Sequence, residues 1–426
     1  MIVRLLGGLA LTVMTLYCSP RRRSGKGRGA EGSGLYPELA AYRISEGGSP
    51  NVQAEVGRLV GLLPIAAARA ELARRGLELD EKAVRRIAGE LGAQMLAART
   101  RDLLRFRAGG LPAGTEFSGK RVAVQIDGGR VRVRTVVKKS RVGGKRKRRK
   151  FRIAWREPKV VILYELDGRG RMARGSRPVI DGRLQGPAAL IELVAFHLHR
   201  LGTAKAREVV FVADGAPWIW TRLDWVVAQV GLNPLRVVEV LDWCHGAHHV
   251  SVALEALKFD QATRTSHYNR LRPPLMQGKS QAVIEELEAL AEGSPADSPV
   301  WREIRYLTKH AEARRLRYDI FRSWRLPMGS GAIESTIRRV INLRLKGNSI
   351  YWTEENAEAV FQLRAAVVSG RWDEIFEHTQ EAMARDRRKT WRWTPPDCLA
   401  ELKALGAEDD EMSQTPTAKR TKRHAA

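Results

Sequence analysis

The feature that most constrains this chain is a buried strand that ends in an acidic turn. Residues Val209 to Ala213 are five consecutive apolar residues, and Asp214 and Gly215 follow them directly. A short apolar run rich in Val and Phe that stops at Asp-Gly predicts a buried β-strand with a carboxylate at its carboxyl end. In α/β folds, ligands and metals commonly bind at that edge of the sheet. Because Asp and Gly also open ordinary turns, this strand alone does not show whether Asp214 is functional.

The region before the sheet is predicted to be helical. Residues 19–35 are rich in Gly, Ser and Arg and cannot pack a core, so they predict a mobile basic loop within a basic amino-terminal segment, 1–35, that resembles a degenerate zinc ribbon. In residues 36–114, apolar residues recur at three- and four-residue steps from Asn51 to Gly76 and from Asp80 to about Phe106. Helices joined by a short turn are compatible with a helix-turn-helix DNA-binding module and equally with a plain helical packing domain.

A change of period marks the start of the sheet. The run from Gly109 to Gly114 breaks the helical pattern, and in residues 115–250 the apolar period becomes two. RVAVQIDGGRVRVRTVV predicts a strand, a turn with Asp127 at the bend, and a second strand. The dipeptides Asp167-Gly168 and Asp181-Gly182 predict further turns. Helices and strands then alternate, so the predicted fold class is α/β, a mixed sheet covered by helices.

The sheet is predicted to be interrupted by helices. Residues 251–326 are helical by period throughout, which predicts an all-α insertion. Residues 327–388 return to the core, with a helix that opens at Ile333 after the loop LPMGSGA. Residues 389–426 are rich in Trp, Pro and charge, and they predict a disordered basic tail.

The charge of the chain predicts a polyanionic partner. Lys and Arg number 74 against 47 Asp and Glu among 426 residues, which gives a formal net charge of +27. Such an excess is far beyond what solubility needs, and neutralisation of phosphates by Lys and Arg supplies affinity for nucleic acid. The composition therefore favours DNA as the partner.

Cysteine usage and the amino end bear on the compartment. Only three cysteines are present, which excludes a disulfide framework and fits a reducing environment. The apolar amino end has the length of a signal peptide, but no small-x-small cleavage site follows it. No other stretch is long and apolar enough to cross a bilayer. We therefore expect a cytoplasmic, nucleoid-associated protein without a membrane partner.

Three acidic residues stand at positions typical of a metal site. Asp127 and Asp214 end predicted strands, and Glu334 opens a predicted helix. Three converging carboxylates repel one another unless hard cations lie between them, and oxygen ligands suit Mg²⁺ or Mn²⁺. Two such ions about 4 Å apart would clamp the attacking and leaving oxygens of a phosphodiester. The alternatives are a hairpin turn for Asp127 and a helix-dipole carboxylate for Glu334.

Three segments resemble bacterial insertion-sequence transposases of the DDE type, Kra-type group. The segment GSGAIESTIRRVINLRLKGNSIYW is similar to the region of the catalytic glutamate, and VQIDGGRVR and VFVADGAPWIW resemble the two aspartate segments. The resemblance covers about 36–372 and implies an RNase H-like core with a helical insertion. It implies that Asp127, Asp214 and Glu334 are catalytic and bind two Mg²⁺ ions, with Mn²⁺ as a substitute.

The resemblance also implies an accessory pair. LDWCHGAHH matches an Asp-x-x-His signature, in which Asp242 and His245 occupy the two positions. This pair is expected either to hold DNA near the metals or to pin the strand to the insertion by a hydrogen bond. A zinc site at Cys244, His248 and His249 is disfavoured because such close neighbours do not easily surround a tetrahedral ion.

The amino end departs from the family. Relatives often carry a Cys-x-x-Cys zinc ribbon there, and this chain has Cys18 but Arg21 where the second cysteine is needed. The apolar segment before Cys18 is therefore interpreted as a strand remnant of a ribbon that has lost its zinc.

Basic and aromatic residues are predicted to contact DNA. The tract 138–150 holds nine Lys or Arg in thirteen residues, and other basic residues follow Glu334 on the same helix and loop. Such residues contact backbone phosphates without reading bases. Trp218, Trp220 and Trp352 could stack on an unpaired base or fill the core. The predicted DNA-binding residues are Lys138, Lys139, Arg141, Lys145, Arg146, Lys147, Arg148, Arg149, Lys150, Arg338, Arg339, Arg344, Lys346 and Trp352.

The expected function is DNA transposition. The chain is expected to cleave the ends of an insertion sequence and to join the 3′-hydroxyls to target DNA, acting on double-stranded DNA as a dimer or larger assembly. One alternative is an RNase H-like nuclease or resolvase without strand transfer. Another is a decayed transposase that binds DNA and has no enzymatic activity.

Overall fold

The computed structural model describes residues 1–18, 36–137, 151–347 and 350–390, which form a mixed α/β structure. The strands are β1 (Ile2–Arg4), β2 (Ala10–Thr12), β3 (Arg121–Gly128), β4 (Val131–Val136), β5 (Phe151–Arg156), β6 (Lys159–Glu165), β7 (Val179–Arg183), β8 (Glu208–Ala213) and β9 (Val237–Leu241).

Helices surround these strands. The α-helices are α1 (Pro37–Ala41), α2 (Pro50–Leu62), α3 (Ile65–Arg74), α4 (Glu81–Arg107), α5 (Gly186–Arg200), α6 (Pro217–Trp220), α7 (Leu223–Val230), α8 (Trp243–Ala256), α9 (Gln261–Met276), α10 (Ser280–Leu290), α11 (Pro299–Glu312), α12 (Tyr318–Ser323), α13 (Gly331–Ile337), α14 (Glu354–Val368) and α15 (Trp372–Thr390). A π-helical turn, Arg338–Asn342, continues α13.

The main sheet has five strands in the order β7-β6-β3-β8-β9. Strand β3 pairs in parallel with β8, and β8 pairs in parallel with β9, whereas β6 is antiparallel to both β3 and β7. Successive side chains of a strand point to opposite faces, and β3 follows this rule. Val122, Val124 and Ile126 join the apolar layer shared with α5 and α7, while Ala123 joins the layer shared with the insertion and α13.

The prediction of a hairpin around Asp127 is wrong. Strand β4 does not pair with β3 and instead forms a separate two-stranded ribbon with β5. β3 already has a partner on each side, and the chain leaves the sheet at Gly128-Gly129. A Cβ at Gly129 would lie 2.4 Å from the Cδ1 atom of Ile341, so this exit needs glycine.

The two other Asp-Gly pairs behave differently from each other. Asp167 forms the predicted turn, because its Oδ1 accepts hydrogen bonds from the backbone N–H groups of Arg169 and Arg171. Asp181-Gly182 lies inside β7, and Asp181 is buried. A Cβ at Gly182 would lie 2.6 Å from the Lys159 carbonyl oxygen, so this glycine permits close strand packing.

The segment between β9 and α13 is helical, as predicted for residues 251–326. Helix α11 packs on α8, and α10 packs on both α9 and α11. Apolar residues of these helices, among them Leu254, Leu287 and Leu307, belong to the same buried cluster as one face of the main sheet. The insertion therefore shares a core with the sheet.

The helices predicted as a separate domain at 36–114 do not pack alone. Val52, Val56 and Leu91 are buried in one cluster with Leu363 of α14 and Trp372 of α15. Small residues permit this contact, because α2 and α4 approach α14 at glycines. The amino-terminal helices therefore pack on α14 and α15, the helices that come after Glu334 in the chain.

Two further expectations concern the amino end and membranes. β1 and β2 pair antiparallel, so two short strands occur where a ribbon remnant was predicted. Cys18 is exposed and has no disulfide partner. Within the described ranges, no helix combines the length and the apolar character needed to span a bilayer.

A pair of glycines in α4 tests the contact with α14. A Cβ at Gly92 would lie 2.7 Å from Cβ of Ala359, whereas a Cβ at Gly89 would meet no atom within 4 Å. We expect Gly92→Ala to lower the free energy of unfolding by about 1–3 kcal/mol through overpacking. The control Gly89→Ala is expected to raise it by about 0.5–1 kcal/mol, because alanine favours helix. Urea unfolding measures both, and equal effects would contradict the contact.

Candidate active site

Three aspartates lie at the ends of three adjacent parallel strands, at the same edge of the sheet. Ile126 of β3 lies opposite Ala213 of β8, and Ala213 lies opposite Leu241 of β9. The next residues along these strands are Asp127, Asp214 and Asp242. Since neighbouring strands are about 4.8 Å apart, in-register pairing places the three aspartates in one row. The structure thus brings together the two aspartates of the predicted triad and the accessory aspartate.

Asp127 and Asp214 form a pair of partly buried carboxylates. The Gly128 N–H donates to Oδ1 of Asp127 at 2.6 Å, and the Ala216 N–H donates to Oδ1 of Asp214 at 3.1 Å. Burial raises the pKa of Asp127 and the Asp214 carboxylate raises it further, against the hydrogen bond from Gly128. Carboxylates that repel each other in this way favour either a shared proton or a cation between them.

Asp242 has a structural role in this arrangement. Its side chain is fully buried and caps α8, because Oδ1 accepts from the His245 backbone N–H at 2.9 Å. Oδ2 accepts from the backbone N–H of Ser330, which precedes α13. Burial works to raise the pKa of Asp242, but the hydrogen bonds from His245 and Ser330 outweigh it and leave the pKa below its usual value. Asp242 therefore ties the end of β9 to α8 and to the loop before α13.

His245 lies between Asp242 and the other two aspartates. Its Nδ1 is 3.1 Å from Oδ1 of Asp242, and its ring is partly exposed. The hydrogen bond with Asp242 raises the pKa of His245 against the effect of burial, and the charges of Asp214 and Asp127 add to the rise. A protonated imidazole here would partly neutralise the carboxylates.

Gln125 holds α13 across the sheet. Its Nε2 donates to the Gly329 carbonyl oxygen at 3.1 Å, and its Oε1 accepts from the Ile333 backbone N–H at 3.0 Å. Gln125 is two residues before Asp127, so both lie on the same face of β3. The helix that carries Glu334 is therefore fixed beside the aspartate row.

Glu334 forms a hydrogen bond within its own helical turn in this structure. It is exposed, and its Oε1 accepts from the Ser330 hydroxyl at 2.6 Å. In the part of the chain that the structure describes, no three His, Cys, Asp or Glu side chains are arranged to hold a metal ion. The carboxylate oxygens fit Mg²⁺ or Mn²⁺ chemically, but the described set provides an aspartate pair without a third ligand.

A tyrosine of the insertion, which the sequence patterns did not reveal, borders Asp214. A Cβ at Gly215 would lie 1.8 Å from the Tyr306 hydroxyl oxygen, so glycine is required beside Asp214 for this packing. The hydroxyl oxygen is buried and has no hydrogen-bond partner among the described residues. Burial raises the pKa of Tyr306, and the Asp214 charge adds to the rise.

Tyr306 belongs to a row of polar residues on α11 and packs against His249 of α8. The His249 ring stacks on Tyr306 with centroids 3.6 Å apart, and His249 Nδ1 lies 2.5 Å from Oε2 of Glu303. Glu303, Tyr306 and His310 are three and four residues apart, so they share one face of α11. That spacing of polar residues on a helix was the signal in the sequence that could have identified this row.

The tryptophans near Asp214 have structural contacts. Trp220 is buried, and its Nε1 donates to the Asp214 carbonyl oxygen at 2.7 Å. Trp218 is partly buried, and the Lys159 ammonium lies 5.2 Å from its ring centroid. Trp220 therefore holds the turn at Asp214 and is not available to stack on a base.

The predicted DNA-binding residues are divided by the structure. The tract 138–150 lies outside the described residues, whereas Arg338 and Arg339 are exposed and Lys346 is partly exposed. The expectation for Arg344 is corrected, because this side chain is buried and its Nε donates to the Val60 carbonyl oxygen at 3.0 Å. Trp352 is partly buried under the Arg344 guanidinium and donates from Nε1 to the Leu345 carbonyl oxygen. The Arg344 contact therefore serves packing against α2.

Comparisons of this chain with protein-family models, with curated proteins and with solved structures find no match. Function is therefore inferred from the site itself, which consists of the aspartate row, His245, Tyr306 and helix α13.

The pH dependence of stability tests the buried environment of α11. Burial, with Arg315 adding to it, lowers the pKa of His310 to about 3. An unfolded histidine binds a proton below about pH 6.5, whereas the folded chain does not until pH is near 3. We therefore expect stability to fall as pH falls from 6.5, by up to about 1.4 kcal/mol per pH unit.

The matched variants are His310→Gln and His248→Gln, since His248 is exposed on α8. Urea unfolding at pH 7.5, 6.0 and 5.0 is expected to show a smaller pH slope for His310→Gln than for wild type. His248→Gln is expected to keep the wild-type slope. An unchanged slope in His310→Gln would show that this imidazole does not stay neutral in the folded chain.

Proposed function

We propose that this chain is a metal-dependent DNA transposase of the DDE type. The observation that supports it most is the position of Asp127 and Asp214 at the ends of adjacent parallel strands, with the helix of Glu334 fixed beside them by Gln125. A five-stranded mixed sheet with one antiparallel inner strand and helices on both faces also supports an RNase H-like core.

In this proposal, each acidic residue has a distinct position. Asp127 and Asp214 would hold Mg²⁺, and the ion would supply charge stabilisation for phosphodiester cleavage. Glu334 would join them on leaving its hydrogen bond with Ser330. The π-helical turn that follows Ile337 is a place where the register of this helix can change, because π-turns insert one residue into the α-helical pattern.

Tyr306 and His245 have separate proposed roles, one toward the substrate and one toward the aspartates. Tyr306 has an unpartnered hydroxyl beside Asp214, so it can donate to a phosphate oxygen bound there. His245 would balance the negative charge of the aspartates before DNA binds. Water would attack phosphorus at the element end, and the 3′-oxygen would leave as a hydroxyl. That 3′-hydroxyl would then attack a phosphodiester of the target, whose own 3′-oxygen leaves and takes up the proton. Two element ends must be handled together, which favours at least a dimer.

The β4-β5 ribbon supports DNA as the partner. On one face, Arg132 lies opposite Trp155 and Arg134 lies opposite Ile153. Trp155 and Ile153 are 57% and 50% exposed, whereas Val133 on the other face is buried. The Arg132 guanidinium lies 5.7 Å from the Trp155 ring centroid and 5.1 Å from that of Tyr351.

A ribbon face with arginines on one strand and exposed aromatic and apolar residues on the other has the chemistry that nucleic acid requires. Arginine contacts phosphates, and an exposed aromatic ring can stack on a base or on a sugar. Two-stranded ribbons also have dimensions that fit a DNA groove. The two strands are joined by the segment that contains the nine basic residues of 138–150, so the sequence adds charge at the same place.

A second candidate function is DNA binding without catalysis. The observation that favours it is that no three-ligand metal group exists in the ranges the structure describes. In that case the ribbon and the basic surface would bind DNA, and the aspartate row would be a remnant. A cleavage assay separates the two functions.

Catalysis is tested by conservative substitution of the acids. We expect Asp127→Asn, Asp214→Asn and Glu334→Gln each to lower Mg²⁺-dependent cleavage of the DNA flanking this gene by on the order of 10²-fold or more. DNA binding measured by fluorescence anisotropy is expected to remain within about twofold, because these acids would hold the metal and would not supply the contacts to the DNA backbone. The control is Asp167→Asn, which changes the turn after β6. That turn is at the opposite end of β6 from Asp127, so this variant should cleave normally.

Each outcome decides a specific point. Normal cleavage by one of the three variants removes that residue from the triad. No cleavage by wild type in Mg²⁺ or Mn²⁺, with DNA binding intact, favours the second candidate. Cleavage without joining of pre-cut ends to a plasmid would identify a nuclease.

The ribbon is tested by affinity and salt dependence. We expect Trp155→Ala to weaken DNA binding by about 1–3 kcal/mol, because one aromatic contact is lost. We expect Arg134→Ala to reduce the salt slope of log K by about 1, because one phosphate contact is lost. Trp225→Ala on α7, where the ring is 44% exposed, is the matched control. Equal losses in Trp155→Ala and Trp225→Ala would exclude the ribbon as a specific contact.

A further inference from the structure

A second polar site lies between β7, α4, α5 and α15. β7 is two strands away from β3 in the sheet, and its Asp181 faces α5 through His197. A cavity of ≈ 60 Å³ lies here. A single water needs roughly 10–15 Å³ of such space, so the cavity has room for several waters or one small ion. Its polar lining is Arg99, Asp102, Asp181, His197, Arg200, Gln362, Ser369, Arg371, His378 and Thr379.

The floor of the cavity is a buried ion pair. Oδ1 of Asp181 accepts from Nη1 of Arg99 at 2.6 Å, and Oδ2 lies 2.8 Å from Nε2 of His197. Burial works to raise the pKa of Asp181, but Arg99 and His197 outweigh it and keep the pKa far below its usual value. The Asp181 carboxylate is thus ionised, and its two oxygens are engaged by Arg99 and His197.

Three buried nitrogens in the cavity wall have no hydrogen-bond partner in the described structure. They are Nε of Arg99, Nε of Arg200 and Nδ1 of His197. Arg99 and His197 are 9% and 6% exposed, so both belong to the interior. Buried polar atoms in native proteins almost always have a partner, and three such atoms around one cavity indicate a bound species.

The charges around the cavity favour an anion over water. The Arg200 guanidinium forms an ion pair with Glu374 at 3.8 Å, and Glu374 is already bound to Arg371 at 3.0 Å. The Glu116 and Asp181 carboxylates also act on Arg200, but each is paired with another arginine, Arg371 and Arg99 respectively. Asp102, the other acid of the lining, is paired with His378 Nε2 at 2.8 Å. Arg200 is therefore a half-buried cation whose charge is poorly compensated, and a second cation, Arg371, lies beside it.

We propose that this cavity binds phosphate. Two guanidinium N–H groups, from Arg99 and Arg200, offer donors to phosphate oxygens. The imidazole of His197 donates from Nε2 to Asp181, so in its neutral form Nδ1 accepts, and a hydrogen phosphate carries the O–H group that it needs. Sulfate has the same shape but has no O–H at neutral pH. Arg200 and His378 of the lining are partly exposed, at 31% and 41% of their side-chain surface.

The phosphate can be a free ion or the terminal phosphate of an oligonucleotide, since both present the same group. This site does not depend on the proposed transposase activity. It is built from α4, α5, β7 and α15, and no residue of the aspartate row contributes to it.

The test uses the full-length chain in phosphate, sulfate or chloride at equal ionic strength. We expect phosphate to raise Tm in a saturable way, because a ligand that binds only the folded state stabilises it, and we expect sulfate to do so less. Calorimetric titration gives the dissociation constant. Arg200→Gln is expected to weaken phosphate binding by about tenfold or more, because one charge-assisted hydrogen bond is lost.

Arg169→Gln is the matched control, since it removes the same charge at an exposed turn after β6. It is expected to bind phosphate as wild type does. Circular dichroism shows whether Arg200→Gln is folded. Because the Arg200 side chain is partly exposed, its replacement disturbs the packing less than a change at a fully buried residue of the cavity wall. Phosphorus NMR of the wild-type chain gives an independent signal for the bound ion.

Three results would overturn the proposal: equal Tm in phosphate and chloride, equal weakening in Arg200→Gln and Arg169→Gln, or no phosphorus signal from a bound state. Competition by a 5′-phosphorylated oligonucleotide, but not by its 5′-hydroxyl form, would identify a terminal phosphate as a ligand. Competition by inorganic phosphate alone would identify the free ion. None of these measurements depends on DNA cleavage, so a failure of the proposed transposase activity would leave the result for phosphate binding unaffected.

Discussion

In-register pairing of β3, β8 and β9 is the constraint on which the candidate site depends. Parallel strands end at one edge, and this register places the residue after each strand at the same height. Asp127, Asp214 and Asp242 therefore become neighbours although they are far apart in the chain. A one-residue slip in any strand would turn its carboxylate to the other face of the sheet. The register is fixed because both faces of β3 and β8 are buried.

Buried polar side chains connect this edge to the helices around it. Gln125 binds the backbone on both sides of Ser330, and Asp242 binds the Ser330 N–H itself. Leaving such groups unpartnered inside a protein costs about 1–3 kcal/mol each, so these bonds specify where α13 starts. The position of Glu334 is consequently set by two residues of the sheet. Asp242 has this role in the fold whether or not the aspartate row is catalytic.

The sequence patterns anticipated local features better than distant contacts. The strand before Asp214, the strand of Asp127, the long helix after Asp80 and the helical character of 251–326 all appear where the apolar period indicated. The turn at Asp167 follows from the hydrogen-bonding habit of aspartate. In contrast, β4 pairs with β5, Asp181 is an interior ion-pair partner, and Arg344 packs against α2. Each of these depends on a segment that is far away in the sequence.

The amino-acid sequence by itself determined the strands, most helices, the acidic residues at strand ends and the large basic charge. Those features depend on periods of two and 3.6 residues and on composition, which can be read locally. The tertiary structure alone decided that Asp242 lies beside Asp127 and Asp214, that Tyr306 fills the space at Gly215, and that the amino-terminal helices pack on α14. An apolar face shows that something must cover it, but the identity of the cover is set by packing between distant segments.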